Sequence, residues 1–212
     1  MTATPSPSPL PSVGAIRYVA LGDSYTIGTN VAQSERWPDQ LVVKLAGRIG
    51  LQLVANLGVN GYSSANLIDR ELPQLDALEP GFVTILIGVN DVVRGTLADK
   101  YRDNMNQIFD FLLDRLPVKR ILVVSTPDYT LTPAGNAFGD PVAQRAAIAE
   151  FNAIEQQLAL ARGIKFVDIS GMANLVTEDP TLVANDGLHP SGRQYAGWVE
   201  LIAPAVAELL AQ

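Results

Sequence analysis

The 212-residue sequence predicts an α/β protein with three α/β/α layers around a central, mostly parallel five-stranded sheet. Short β-branched runs alternate with longer stretches of helical period, which is the pattern of βαβ units. Phe82–Ile87 and Ile121–Val124 are apolar almost throughout, as strands covered on both faces must be. At 48% hydrophobic and 17% charged residues the chain can bury one sizeable core, which excludes a disordered chain.

The first strand is expected at Ile16–Leu21, where the apolar run stops at Gly22-Asp23. Trp37, Leu41, Leu45 and Ile49 then recur every four residues toward Gly50, predicting a helix with Pro38 in its first turn and Gly50 as its C-cap. A second strand follows at Leu51–Asn56, a helix from Ser63 or Ser64 to Leu72, and a third strand at Phe82–Ile87. Helical period returns over Leu97–Leu116, before strands at Ile121–Ser125 and Lys165–Asp168 that flank a helix over Pro141–Arg162. Ser191–Leu210 closes the chain as a helix that Pro204 should kink or shorten. This succession gives a flavodoxin-like sandwich, expected to form one domain over residues 15–212. In such sheets ligands bind outside the carboxyl ends of the strands.

Four polar, glycine-rich blocks stand at those ends or just before a helix: Gly22-Asp23-Ser24, the run from Asn56 to Gly61, Gly88-Val89-Asn90-Asp91, and the run from Asn185 to Pro190. Each has a plain structural use. Ser24 and Asn90-Asp91 are good helix caps, the glycines suit tight turns, and Asp186-x-x-His189 suits a turn before a helix. Together they also supply a reaction. A serine hydroxyl needs a base to take its proton, and His189 is the chain's one histidine. Asp186, three residues earlier, is within reach of the imidazole Nδ1. The oxyanion formed on an attacked carbonyl would find donors in the Ser24 N–H, a glycine N–H of the second block and the Asn90 amide.

In this order the four blocks resemble the SGNH hydrolases, the GDSL esterase/lipase superfamily, and in particular its compact bacterial thioesterase, lysophospholipase and arylesterase branch. The resemblance runs from Ile16 to about Trp198, with Tyr25 where the first block usually has leucine. It implies Ser24 as nucleophile, His189 and Asp186 completing a triad, and Ser24, Gly61 and Asn90 as oxyanion-hole donors, with Gly58 as the alternative glycine. It also implies ester hydrolysis through an acyl-enzyme, without a cofactor or metal. The substrate is then a small-molecule ester, expected to carry a short acyl or aryl group. An O-acetylated carbohydrate, a thioester or a lysophospholipid would suit the same triad. The long segment "DYTLTPAGNAFGDP", Asp128 to Pro141, offers Tyr129, Leu131 and Phe138 to a substrate pocket, with Val92 and Val93 opposite. The competing non-enzymatic reading is a flavodoxin-like binding module, although the chain has neither G-x-G-x-x-G nor a Walker lysine motif at these turns.

Composition narrows the partners. A formal charge of −7 opposes nucleic-acid binding, and no apolar run reaches the 18 or so residues of a membrane span. With no cysteine and one histidine, a zinc site lacks its usual ligands. The sequence sets no oligomeric state. The start, "TATPSPSPLPS", is expected to form an extended, disordered tether over residues 1–14. It reads as the spacer of an exported protein whose signal has been removed, or otherwise as the native start of a cytoplasmic one.

Overall fold

The structure is a computed structural model and describes residues 14–211, so that all of the expected tether except Gly14 lies outside the described residues. Five parallel strands, β1 (Ile16–Gly22), β2 (Leu51–Asn56), β3 (Phe82–Leu86), β4 (Ile121–Val124) and β5 (Lys165–Val167), form one sheet in the order β2-β1-β3-β4-β5. This is the doubly wound, flavodoxin-like order, with a topological switch point between β1 and β3. Every residue of β3 and β4 is buried, and β1 is buried from Tyr18 onward. The continuous apolar runs follow from that, because helices cover both faces.

The helices in chain order are α1 (Ser24–Ile27), α2 (Trp37–Leu45), α3 (Ser64–Asn66), α4 (Leu75–Leu78), α5 (Val89–Val93), α6 (Ala98–Leu113), α7 (Pro141–Ala161), α8 (Ser170–Ala173) and α9 (Gly192–Leu210). One layer pairs α2 with α9 and the other pairs α6 with α7. Two fully buried tryptophans, Trp37 and Trp198, belong to α2 and α9, and Tyr101 stacks on Phe151 at 4.0 Å between α6 and α7. Aromatic burial of this size dominates the packing of both layers.

Three expectations are corrected. The helix beginning at Trp37 stops at Leu45 rather than running to Gly50, since the backbone turns left-handed at Gly47 (φ 78°). The helix expected from Ser63 or Ser64 to Leu72 is instead a chain of short pieces. A π-turn at Leu67–Glu71 and a 3₁₀ turn at Leu72–Gln74 separate α3 from α4. Pro73 has no N–H for a regular α-helical bond, and the backbone changes its winding around it. Pro204, by contrast, lies inside an unshortened α9. Its position is exposed, so water can satisfy the carbonyl it frees, while Trp198, Ile202, Val206 and Leu210 hold the opposite stripe in the core.

Candidate active site

The site is assembled at the switch point. β1 ends at Gly22 with φ 152°, and a Cβ there would sit 2.2 Å from the Leu86 carbonyl oxygen of the neighbouring strand. Only glycine allows this close exit from the sheet. The Gly22 N–H donates to Glu71 Oε2 at 2.9 Å, a buried carboxyl that the π-turn carries inward. Asp23 then caps α1, its Oδ1 accepting the Tyr25 N–H at 2.9 Å. Ser24 is therefore the first residue of a short, capped turn at the sheet's rim.

The second block packs under this turn. Asn56 donates to the Thr26 carbonyl at 2.7 Å and accepts the Gly58 N–H at 3.1 Å. A Cβ on Gly58 would come within 2.7 Å of the Asp23 carbonyl oxygen. Gly58 is thus a packing glycine whose N–H is already engaged. Gly61 faces the cavity beside Ser24, and no acceptor takes its N–H among the described residues. Its carbonyl accepts from Arg94 Nη2 at 2.6 Å, which holds the turn in place.

Asn90 stands near the start of α5. Its Nδ2 donates to the Tyr62 carbonyl at 2.9 Å and to Asp23 Oδ2 at 3.3 Å. Next to it, Asp91 accepts from the Ser64 N–H at 2.7 Å and from Ser64 Oγ at 2.6 Å, tying α5 to α3. The histidine arrives from the other end of the chain, on the segment leading into α9. Asp186 Oδ1 accepts the Leu188 and His189 N–H groups at 3.0 Å each, while Oδ2 lies 2.6 Å from His189 Nδ1. Asn30 donates to the same Oδ2. With Nδ1 engaged in this way, Nε2 is the imidazole nitrogen left to face a substrate. The Tyr25 ring packs against His189, centroids 5.2 Å apart.

Ser24, Gly61, Asn90 and His189 line one cavity of about 230 Å³. Its apolar wall includes Val89, Val93, Tyr129, Phe138 and Leu188. Leu131 and Val92, both expected in the pocket, do not line it. Val92 is buried in the core beneath α5, so that its neighbour Val93 faces the cavity instead. Leu131 ends a 3₁₀ turn, Tyr129–Leu131, whose first residue is the one on the cavity.

The electrostatics divide sharply. Partial burial pushes the Asp186 carboxyl up, but hydrogen bonds from the His189 ring and the Leu188 and His189 amides outweigh it and bring it down to about 2. Complete burial raises Asp23 to about 7, only partly countered by the Tyr25 amide, and raises Glu71 to about 9 against the hydrogen bond from Gly22. Burial thus shifts both carboxyls beneath the site toward their protonated forms, Glu71 further than Asp23, while the one beside the histidine is an anion. Among the described residues no group of three or more histidine, cysteine, aspartate or glutamate side chains is placed to hold a metal ion, and no helix is long and apolar enough to cross a membrane.

Sequence reasoning missed Asn30, Glu71 and the role of Tyr25 as a wall for the histidine. The departure from leucine at Tyr25 was the one visible signal among them.

Known proteins resemble this chain in sequence and in fold. Residues 20–196 match the GDSL-like Lipase/Acylhydrolase family. An acetylxylan esterase of Xylanibacter ruminicola is 25% identical over 93% of this chain and 44% of its own length. One of Geobacillus stearothermophilus is 28% identical over 68% of this chain and 66% of its own. The chain thus spans from under half to about two thirds of these relatives. Among solved structures, a substituted acetyl xylan esterase from Geobacillus stearothermophilus superposes with a TM-score of 0.72 at 20% identity, covering 92% of this chain and 96% of that one. TesA superposes with a TM-score of 0.71 at 19% identity, covering 92% and 99%.

Proposed function

The chain belongs to the GDSL-like Lipase/Acylhydrolase family, and from that premise we propose that it is a serine esterase that hydrolyses carboxylic esters of short acyl groups. The observation that carries the reading is the convergence of Ser24, Gly61, Asn90 and His189 on one cavity, with Asp186 hydrogen-bonded behind the histidine.

In the proposed reaction His189 Nε2 takes the Ser24 proton as Oγ attacks the ester carbonyl. The ionised Asp186 holds the ring through Nδ1 and stabilises the imidazolium. The Ser24 and Gly61 N–H groups and the Asn90 amide receive the oxyanion. Gly61 is preferred over Gly58 because the Gly58 N–H is engaged by Asn56. The imidazolium then protonates the leaving alcohol, and water, deprotonated by the same nitrogen, releases the acid and restores Ser24.

The modest volume of the cavity and its valine and aromatic wall favour acetyl-sized to short acyl groups, with an alkyl or aryl alcohol. A second reading keeps the acetyl group and makes the alcohol a sugar hydroxyl. Both curated relatives bear the name acetylxylan esterase, and Asn60 adds a polar residue to the cavity lining. Hydrolysis of p-nitrophenyl esters from acetate to palmitate, by wild type and Ser24→Ala, tests the main reading. Activity confined to the short esters and reduced at least about a thousandfold by the substitution is expected. Undiminished turnover in Ser24→Ala would refute it. Release of acetate from acetylated xylan, compared with simple acetyl esters, decides between the two alcohols.

A further inference from the structure

We infer that Asn30 is a positioning residue for the proposed triad: its side-chain amide donates to Asp186 Oδ2, the oxygen that faces His189 Nδ1, and so fixes the direction of the carboxylate. The inference rests on reading Ser24, His189 and Asp186 as a triad. The two oxygens of Asp186 share their partners: Oδ1 takes two amides of its own loop, and Oδ2 takes the imidazole and Asn30. Each oxygen therefore meets two donors, which uses both of its lone pairs.

The placement of Asn30 gives this bond its meaning. It lies 156 positions before Asp186, in the turn that follows α1. The Ser24 carbonyl accepts the Gly28 and Thr29 N–H groups at 3.1 Å each, so that turn is anchored to the nucleophile's own backbone. Thr29 Oγ1 donates to Asn60 Oδ1 at 2.5 Å, fixing the turn to the Gly61 loop as well. One exposed side chain therefore links the serine turn to the carboxylate that orients the base.

The backbone of the turn suits an asparagine. Asn30 has φ 64°, and among the described residues only one other non-glycine, Glu79, has a positive φ. Glycine would meet this turn's conformational need without strain. Asparagine is among the few other residues that adopt such a φ readily, and here its side chain is also engaged by Asp186.

Without the amide, three of the four partners of Asp186 remain, and Oδ2, relieved of one donor, becomes a stronger acceptor for the protonated imidazole. A second carboxylate in its place would stabilise the imidazolium directly. The other titratable groups around the pair are Tyr25 against the ring, Tyr129 on the same cavity, and Tyr195, which interacts with Asp186 and with Asp23 and Arg36. Burial raises all three phenols, Tyr129 to about 12, so they are neutral across the working range. None of these groups changes when Asn30 is substituted.

His189 is the chain's single histidine, so its imidazole NMR signals titrate without overlap. The experiment measures that titration in wild type, Asn30→Gly and Asn30→Asp, together with kcat and kcat/KM for p-nitrophenyl acetate against pH. Both substitutes tolerate the left-handed backbone. The expected result is an imidazole midpoint about one unit above wild type in Asn30→Asp, with a smaller rise in Asn30→Gly. The acid limb of kcat/KM should move by the same amounts, and kcat should fall about tenfold in Asn30→Gly with KM little changed. Wild-type midpoints in both variants overturn the inference, whether kcat is retained or lost, because a loop-holding role would leave the ring's titration where it was. The titration reads the Asn30–Asp186–His189 contact without turnover. Failure of the triad reading would instead show as unchanged turnover in Asp186→Ala.

Discussion

At the scale of single residues, Asn90 shows how the proposed chemistry depends on orientation. Its amide is held between the Tyr62 carbonyl and Asp23 Oδ2, and the Asp23 contact, at 3.3 Å, is the longer of the two. That proton is the one available to a developing oxyanion. Asn90→Ala is accordingly expected to lower kcat by about a hundredfold to a thousandfold with little change in KM, measured on p-nitrophenyl acetate. A rate within a factor of two of wild type would leave Asn90 a capping residue. Ser24, Asn90, Asp186 and His189 were legible in the sequence because each sits in a short block at a strand end or helix start, where local pattern and chemistry coincide. Asn30 was not legible. Its partner is 156 positions away, and an Asn after Gly28-Thr29 reads as an ordinary turn. Val92 and Val93 could not be told apart either, since the sequence does not reveal which side of so short a helix turns to the core.

At the scale of elements, the broken helix between Ser64 and Leu78 has the clearest consequence. The π-turn carries Glu71 out of the register of an exposed surface charge and places it, fully buried, on the Gly22 N–H. Its carboxyl is raised to about 9, against about 4.3 for a free glutamate. Between those values the folded protein holds a proton that the unfolded chain has lost. The stabilising contribution is therefore complete below about pH 4 and disappears as pH rises toward 9, with a slope of at most about 1.4 kcal/mol per unit. Asp23, raised to about 7, adds the same sign up to neutrality. Urea unfolding at pH 5.5, 7 and 8.5 is expected to show falling stability in wild type and a shallower fall in Glu71→Gln, whose neutral amide oxygen can still accept from Gly22. Equal slopes would place the Glu71 proton elsewhere. The segment from Asp128 to Pro141 is a second case. Two 3₁₀ turns organise it, and Phe138 meets Tyr129 edge-on at 6.0 Å above the cavity. Phe138→Ala should raise the rate on hexanoate relative to acetate severalfold, since a methylene in an apolar pocket is worth about tenfold or more. An unchanged ratio would remove Phe138 from the acyl wall.

At the scale of the whole molecule, the sheet order explains why residues from distant parts of the chain meet. The chain leaves β1 toward β2 on one side and returns to β3 on the other, opening the crevice into which Ser24 and Asn90 project from adjacent strand ends. α9, packed on α2, brings the segment carrying His189 to the same rim. The strand count and the parallel sense were legible because buried strands need continuous apolar runs. The ends of helices were less so: Ile49 continues the period past Leu45, yet the left-handed turn at Gly47 ends α2 first. In the proposed reaction this assembly makes Ser24 the nucleophile. Intact-mass spectrometry and peptide mapping after reaction with an ester-like organophosphonate test it most directly. One adduct, mapped to Ser24, absent in Ser24→Ala and strongly slowed in His189→Ala, is the predicted result. An adduct on another residue, or a wild-type protein that hydrolyses p-nitrophenyl acetate yet stays unmodified, would contradict it.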